Sequence, residues 1–344
     1  MVVLLHIIIK CIGGYNMRIG IAYDTLDMYD LQERNSLHYD FANIESINIL
    51  KQLLDSIGHN AILLGNTYSI AKSIQAQQFD CDIVYNTVEG INSRNREGLL
   101  PALLEIFGIP YIGTDAFGLS LTLNKALTKV LEIELGILTP KYVVATPNSL
   151  TSYISKSLSN MKSPFIIKPN YEGNSSGICT ASTKSEAINK IEQLIEQYQT
   201  SILCEEFIFG REITVPMIGN DFSNMLWGIT TVDVQRNDDF WLDTNLKLYG
   251  DYNNVILELP THKEADFKTI SYKLFSEIGC RDFARFDYRL APSGEIYFIE
   301  ANPLPSLFSG CSFDVVGEKY GYTFAETIDK IVQTACDRLS IPKI

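Results

Sequence analysis

The chain has 344 residues, 46% hydrophobic and 20% charged, an ordinary globular balance with material for two or three domains. A net charge of −13 and a pI near 4.8 argue against general binding to nucleic acid or an anionic membrane, but leave room for a local basic pocket. Seven cysteines without a CxxC pair, and four scattered histidines, point away from a disulfide framework, a zinc site or a His-based triad, and toward the reducing cytosol.

Residues 1–16 hold an apolar run too short to span a bilayer, without the basic start and cleavage site of a secretion signal. They read as an over-long start or as an extra strand. Met17–Tyr23 is the expected first parallel strand. From Phe41 to Gly58, apolar residues at Ile44, Ile47, Leu50, Leu53, Leu54 and Ile57 keep helical spacing. Asn60–Leu64 and Cys81–Asn86 read as strands, and Glu97–Phe107 as a helix stopped by Gly108 and Pro110. This alternation predicts an α/β fold, with a doubly wound parallel-sheet domain over 17–116. Neither GxGxxG nor GxxxxGK[ST] occurs in the chain. The polar loop Asp24–Asp40, and Arg94 with Arg96, follow strand ends, where such sheets bind ligands and where solvated side chains are equally at home.

Leu119–Leu135 reads as one helix carrying Lys125 and Lys129. A small α+β domain over 117–204 follows, with strands at Tyr142–Val144, Phe165–Pro169 and Ile202–Glu206 and helices at Ser149–Leu158 and Lys184–Gln197. Lys168 ends an apolar strand, and Gly173-Asn174-Ser175-Ser176-Gly177 comes soon after. Amides and hydroxyls of such a loop, together with the lysine, complement an anion. Glu205 and Glu212 are candidates to bind a nucleotide, with backbone near Phe207 and Ile208 reading a base edge. Lys247 lies in the long polar segment Asp233–His262, which reads as a lid or binding loop.

The last domain, 205–344, contains helices at Ala265–Gly279 and Tyr322–Leu339 and a predicted hairpin, Phe283–Leu290 returning as Glu295–Glu300. The hairpin holds Asp287 on one strand and Glu300 on the other, with Asn302 two residues on and sharing a face with Glu300. Two carboxylates and an amide are hard oxygen donors suited to Mg²⁺. Arg285 shares the face of Asp287, where a guanidinium suits a phosphoryl group or an oxyanion.

In this order, Lys125, Lys168-Pro169, the 172–177 loop, Glu205 to Glu212, Arg285-Phe286-Asp287 and Glu300-Ala301-Asn302-Pro303 resemble the ATP-grasp ligases, and most of all the D-alanine–D-alanine ligase branch. The resemblance spans about 17–340. It implies three domains, the last an antiparallel-sheet ATP-grasp domain, with ATP and Mg²⁺ (two ions, Mn²⁺ as an alternative) held between the second and third. It also implies acyl-phosphate chemistry on small amino-acid or carboxylate substrates, a homodimer among the assemblies open to it, and a cytoplasmic enzyme. On matching positions it makes Lys125 and Lys168 phosphate-binding, and Ser175, with Ser176 beside it, part of the phosphate loop. Glu205, Phe207 and Ile208 would bind adenine, and Glu212 ribose. Asp287, Glu300 and Asn302 would be the metal ligands. Arg285 would stabilise the acyl phosphate, and Lys247 would contact the γ-phosphate or the second substrate's carboxylate.

The departures fall in the amino-acid half. After the first strand stands Ala22-Tyr23-Asp24-Thr25 in place of a glycine-rich segment with Glu and Ser. Asn174 replaces a loop serine, Leu248 a lid tyrosine, Ser306 a turn glycine, and Cys311 or Ser312 falls at a serine position. The expectation is an ATP-dependent carboxylate–amine ligase with an altered donor or acceptor. The alternatives are an ordinary D-alanine–D-alanine ligase and a non-catalytic ATP-binding sensor.

Overall fold

The computed structural model describes residues 16–29, 41, 43–173, 176–233 and 253–342. Ser175 and Lys247 lie outside the described residues, as does residues 1–15 of the expected extra start.

The first sheet is four parallel strands, β1 (Arg18–Ala22), β2 (Asn60–Gly65), β3 (Ile83–Asn86) and β4 (Tyr111–Ile112), in the order β2-β1-β3-β4. Between them run α1 (Ile44–Ser56), α2 (Thr67–Gln75) and α3 (Leu99–Ile106). The α1 helix buries Ile47, Leu50 and Leu54, the residues whose spacing marks it. The α2 helix buries Ile70 and is capped by Asn66, whose side chain accepts from Ser69 N.

The expected helix Leu119–Leu135 is two helices, α4 (Ala116–Leu123) and α5 (Lys125–Glu134). Asn124 breaks the run with ψ of 88°, and its side-chain oxygen caps Leu127 N. The break starts α5 at Lys125, and the Lys125 N–H donates to the Asn170 carbonyl at 3.2 Å, so the lysine is turned toward the second sheet.

That sheet is antiparallel, β5 (Tyr142–Ala145), β6 (Phe165–Pro169), β7 (Cys179–Ala181) and β8 (Ile202–Glu206), in the order β5-β8-β6-β7. Helices α6 (Thr151–Ser159) and α7 (Lys184–Tyr198) pack on it around Phe165, Ile167 and Ile191. The boundary expected at 204 falls inside β8, whose pairing with β5 continues through Glu205, so the sheet ends at Glu206.

The third sheet contains β9 (Arg211–Ile218), β10 (Leu226–Trp227), β11 (Thr230–Val232), β12 (Asn254–Ile256), β13 (Phe283–Leu290) and β14 (Ile296–Asn302). Its order is β12-β11-β9-β13-β14, with β10 also on β9. Helix α8 (Thr261–Ile278) covers one face through Phe267, Leu274 and Ile278. Helix α9 (Ser312–Lys319) and helix α10 (Phe324–Arg338) close the described chain, and α10 packs its Ile328, Ile331 and Val332 into the core of the first sheet.

Asp282 joins these parts. It is fully buried, has φ of +68°, and accepts from Gly113 N, from the Asn220 amide and from the Arg338 guanidinium. A buried carboxylate so surrounded fixes the start of β13 against the first sheet and α10.

Candidate functional site

The β13–β14 hairpin carries the predicted acidic group, and its register shows how. Arg285 pairs with Asn302 and Asp287 with Glu300, but Tyr288 pairs with Phe298, leaving Ile299 as an extra residue. This β-bulge shifts the pairing by one and places Glu300, not Ile299, opposite Asp287. Directly opposed residues of an antiparallel pair project on one face. All four side chains therefore meet on the outer face, while Phe286, Phe298 and Ala301 point to the core.

On that face the Arg285 guanidinium donates to both Asp287 oxygens, with its closest nitrogen 2.9 Å away. Thr214 on β9 also donates to Asp287, at 3.0 Å. Burial works against the Arg285 cation, and the Asp287 and Glu300 carboxylates outweigh it and hold its pKa above the ordinary value. Asn302 accepts from Leu304 N at 3.3 Å, which orients its amide.

Across the cleft, Lys125 lies 3.9 Å from Glu300 and donates to the Glu172 carbonyl at 2.5 Å. Burial lowers its pKa despite Glu300. The cleft between has a volume of about 320 Å³ and is lined by Lys125, Gly173, Glu212, Arg285, Asp287, Glu300 and Asn302, among others. A narrower slot of about 120 Å³ adjoins it through Glu212, Asp287 and Glu300. Its apolar walls are Ile166, Ile178, Phe207, Ile208 and Ile299, and Lys168 and Glu205 also line it. An apolar slot with a polar end suits a flat heterocycle with hydrogen-bonding edges.

Lys168 and Glu205 are one unit. The Lys168 ammonium lies 2.7 Å from Glu205, and Lys129 lies 2.6 Å from the other carboxylate oxygen. All three are buried. Burial opposes the Glu205 charge, and the two lysines overcome it, keeping its pKa below the ordinary range. Burial likewise opposes the Lys168 charge, and Glu205 and Glu300 raise its pKa above the ordinary value. The sequence places Lys129 only at helical spacing from Lys125, and its burial against Glu205 is what brings it into the site. The Arg289 guanidinium was missed. It stands 4.9 Å from the Phe207 ring, donates to the Ile208 carbonyl at 3.0 Å, and lies 3.8 Å from Glu212, holding the 207–212 segment. Only the register of β9 and β13, which opposes Arg289 to Glu212, reveals it.

The Ser176 hydroxyl lies 3.3 Å from the Tyr198 hydroxyl. Arg94 is exposed, whereas Arg96 is buried and donates to the Tyr171 carbonyl, with Glu89 and Glu97 within 4 Å of it. Among the described residues no three His, Cys, Asp or Glu side chains form a metal cluster. The hairpin set, with an amide as third donor, is of a different kind. Its all-oxygen chemistry fits a hard divalent cation, which would share Asp287 with the bonds it accepts from Arg285 and Thr214. No helix among the described residues is long and apolar enough to cross a membrane.

A parallel-sheet domain followed by two antiparallel sheets, with a charged cleft and an apolar slot between them, is the ATP-grasp architecture. Residues 131–333 match the family model for the D-ala D-ala ligase C-terminus. A D-alanine–D-alanine ligase of Xanthomonas axonopodis pv. citri is 28% identical over 293 residues, covering 84% of this chain and 89% of that protein. Among solved structures, the D-alanine–D-alanine ligase from Bacillus anthracis complexed with ATP superimposes with a TM-score of 0.74 at 19% identity, covering 94% of this chain and 99% of the other. The VanG D-Ala:D-Ser ligase from Enterococcus faecalis superimposes at 0.71 with 20% identity, covering 93% and 100%. The chain belongs to the D-alanine–D-alanine ligase family of ATP-grasp proteins, and it is an ATP-dependent ligase that forms carbon–nitrogen bonds.

Proposed function

We propose that the enzyme joins the carboxylate of one small amino-acid-like substrate to the amine of another through an acyl phosphate. The observation that carries this reading is the meeting of Arg285, Asp287, Glu300 and Asn302 on one face, opposite Lys125. A donor carboxylate oxygen attacks the γ-phosphorus of ATP, and the bond to ADP breaks. The acceptor amine then attacks the acyl carbon, phosphate leaves, and the amine gives up a proton as the amide forms. Both steps concentrate negative charge on phosphoryl and carbonyl oxygens. A positioned guanidinium and lysines stabilise that charge as it develops.

In this reading Lys125 and Lys168 bind phosphates, and Ser175 and Ser176 belong to the phosphate loop. Glu205, Phe207 and Ile208 take adenine, and Glu212 takes ribose. Arg285 holds the transferring group, and Lys247 contacts the γ-phosphate or the acceptor's carboxylate. Mg²⁺, as two ions, or Mn²⁺ in its place, would be held by Asp287, Glu300 and Asn302 and would neutralise phosphate charge. The working units are the segments 17–116, 117–204 and 205–344, with β8 carrying the second sheet on to Glu206. A homodimer and a cytoplasmic location complete the proposal.

A phosphate-release screen over amino-acid and small-acid pairs with ATP and Mg²⁺, read by product mass, tests it. Amino-acid-dependent release of phosphate, with a product lighter by one water than its two substrates, is the expected result. ATP binding without any such release would favour a sensor instead. Synthesis of D-alanyl-D-alanine at a rate matching any other pair would return the enzyme to the ordinary ligase reading that its relatives' names suggest. The altered residues after β1 and at Ser306 and Cys311 favour a changed substrate.

A further inference from the structure

A second recess opens off the cleft, on the side of the first sheet. It has a volume of about 160 Å³ and shares Glu89, Leu304, Ser306 and Phe308 with the cleft. Its inner walls include Ile47 and Leu50 of α1, Tyr85 of β3, Phe283 of β13, and Leu307. Three of the polar side chains along it are already committed, while the buried Tyr85 hydroxyl has no hydrogen-bond partner among the described residues. Asn86 accepts from Val88 N at 2.9 Å, Asn43 accepts from Glu45 N at 2.8 Å, and the Thr87 hydroxyl donates to the Ala22 carbonyl at 2.9 Å. Glu89 is the one charged residue among its described lining residues, and it stands where recess and cleft meet.

We infer that this recess is the side-chain pocket for one of the two substrates and selects an apolar side chain of leucine or phenylalanine size. The inference rests on the ligase reading above and names the substrate class of that site. Size decides between a methyl group and something larger. An apolar cavity of roughly 150 Å³ accepts benzene, so a recess of this volume is left mostly empty by a methyl group. Charge decides the orientation. The substrate's carboxylate must reach the Arg285 and Lys125 end of the cleft, its ammonium meets Glu89 at the junction, and its side chain has the apolar recess left to it. The acceptor's amine must shed its proton to attack, so an ammonium held against a carboxylate belongs to the donor. The recess therefore sorts the donor.

The test measures both binding and turnover. Alanine, leucine and phenylalanine, as D and L forms, are titrated calorimetrically into the full chain with Mg²⁺ and a non-hydrolysable ATP analogue. The same amino acids are compared by phosphate release with ATP. Leucine or phenylalanine should bind at least about tenfold tighter than alanine of the same hand. In Ser46→Phe, which reaches into the recess from the exposed side of α1, the large-to-small preference should fall about tenfold or more. In Leu50→Ala, which widens it, that preference should shift toward the larger side chain, an opposite change that misfolding does not produce. Equal affinities for all three sizes, or tightest binding of alanine, would overturn the inference while leaving the ligase reading intact. Selective binding of the large amino acids, with no phosphate release from any pair in the amino-acid and small-acid screen, would support the recess and refute the ligase. Absence of binding here and of release across that screen would refute both.

Discussion

The Lys168 ammonium and the Glu205 carboxylate lie 2.7 Å apart inside the second sheet, at the wall of the apolar slot. Lys129 approaches the same carboxylate from α5, so the helix that presents Lys125 to the cleft is tied to the slot by a second lysine. Three buried charges in contact are stable only together. The energetic weight of the arrangement lies in the loss of any one, which leaves the others uncompensated in a low-dielectric interior.

Lys129→Met removes one cation from this group and leaves Glu205 with Lys168 alone. Breaking a buried pair by deleting one partner costs roughly 3–5 kcal/mol. Urea unfolding of the variant should show a loss of this order, and ATP affinity should fall with it. An unchanged unfolding midpoint would mean that Glu205 is satisfied without Lys129.

Glu132, one turn further along α5, is buried beside the same lysine, with the Thr139 hydroxyl close to its carboxyl. Burial pushes its carboxyl up to about 7, against the pull of Lys129. The folded state thus binds this proton more tightly than the unfolded chain. The contribution to stability is complete below the ordinary glutamate pKa and is lost as pH rises through about 7. Glu132→Gln should therefore flatten the decline in stability between about pH 5 and 8. Denaturant melts across that range should show wild type losing more than the variant.

Arg285→Lys keeps a positive charge but loses the two-pronged donor that grips Asp287. If the guanidinium acts on the reacting phosphoryl group, kcat should fall by roughly 10²–10³, with a smaller change in the KM for ATP. Steady-state phosphate release separates the two. A selective rise in KM would instead assign Arg285 to binding.

Asp287→Asn removes a hard anionic donor opposite Glu300. The Mg²⁺ concentration giving half-maximal rate should rise by at least about tenfold, since even outer partners of metal ligands are worth roughly 10–100-fold in affinity. A metal titration of activity, with tryptophan fluorescence as a folding control, reads this directly.

Much of the frame was legible in the chain itself. Apolar spacing on α1, the runs before Asn86 and Lys168, and the turn Pro292–Gly294 mark elements through local sterics and burial, which adjacent residues carry. The ordered series from Lys125 to Asn302 carried the resemblance to a ligase family that the comparisons then showed. What the chain could not display was the break at Asn124, the bulge at Ile299, the burial of Lys129 between two sheets, and the recess beside Tyr85. The break depends on a cap whose value shows only against Asn170 and the second sheet. The bulge is a property of two strands in register, and a single strand's pattern does not contain it. The buried ion group and the recess each draw residues far apart in sequence, so the contacts that define them exist only once the three sheets have packed. Local forces determined which segments are helix or strand, and long-range packing decided where charge is buried and which side chains line the cleft and its recess.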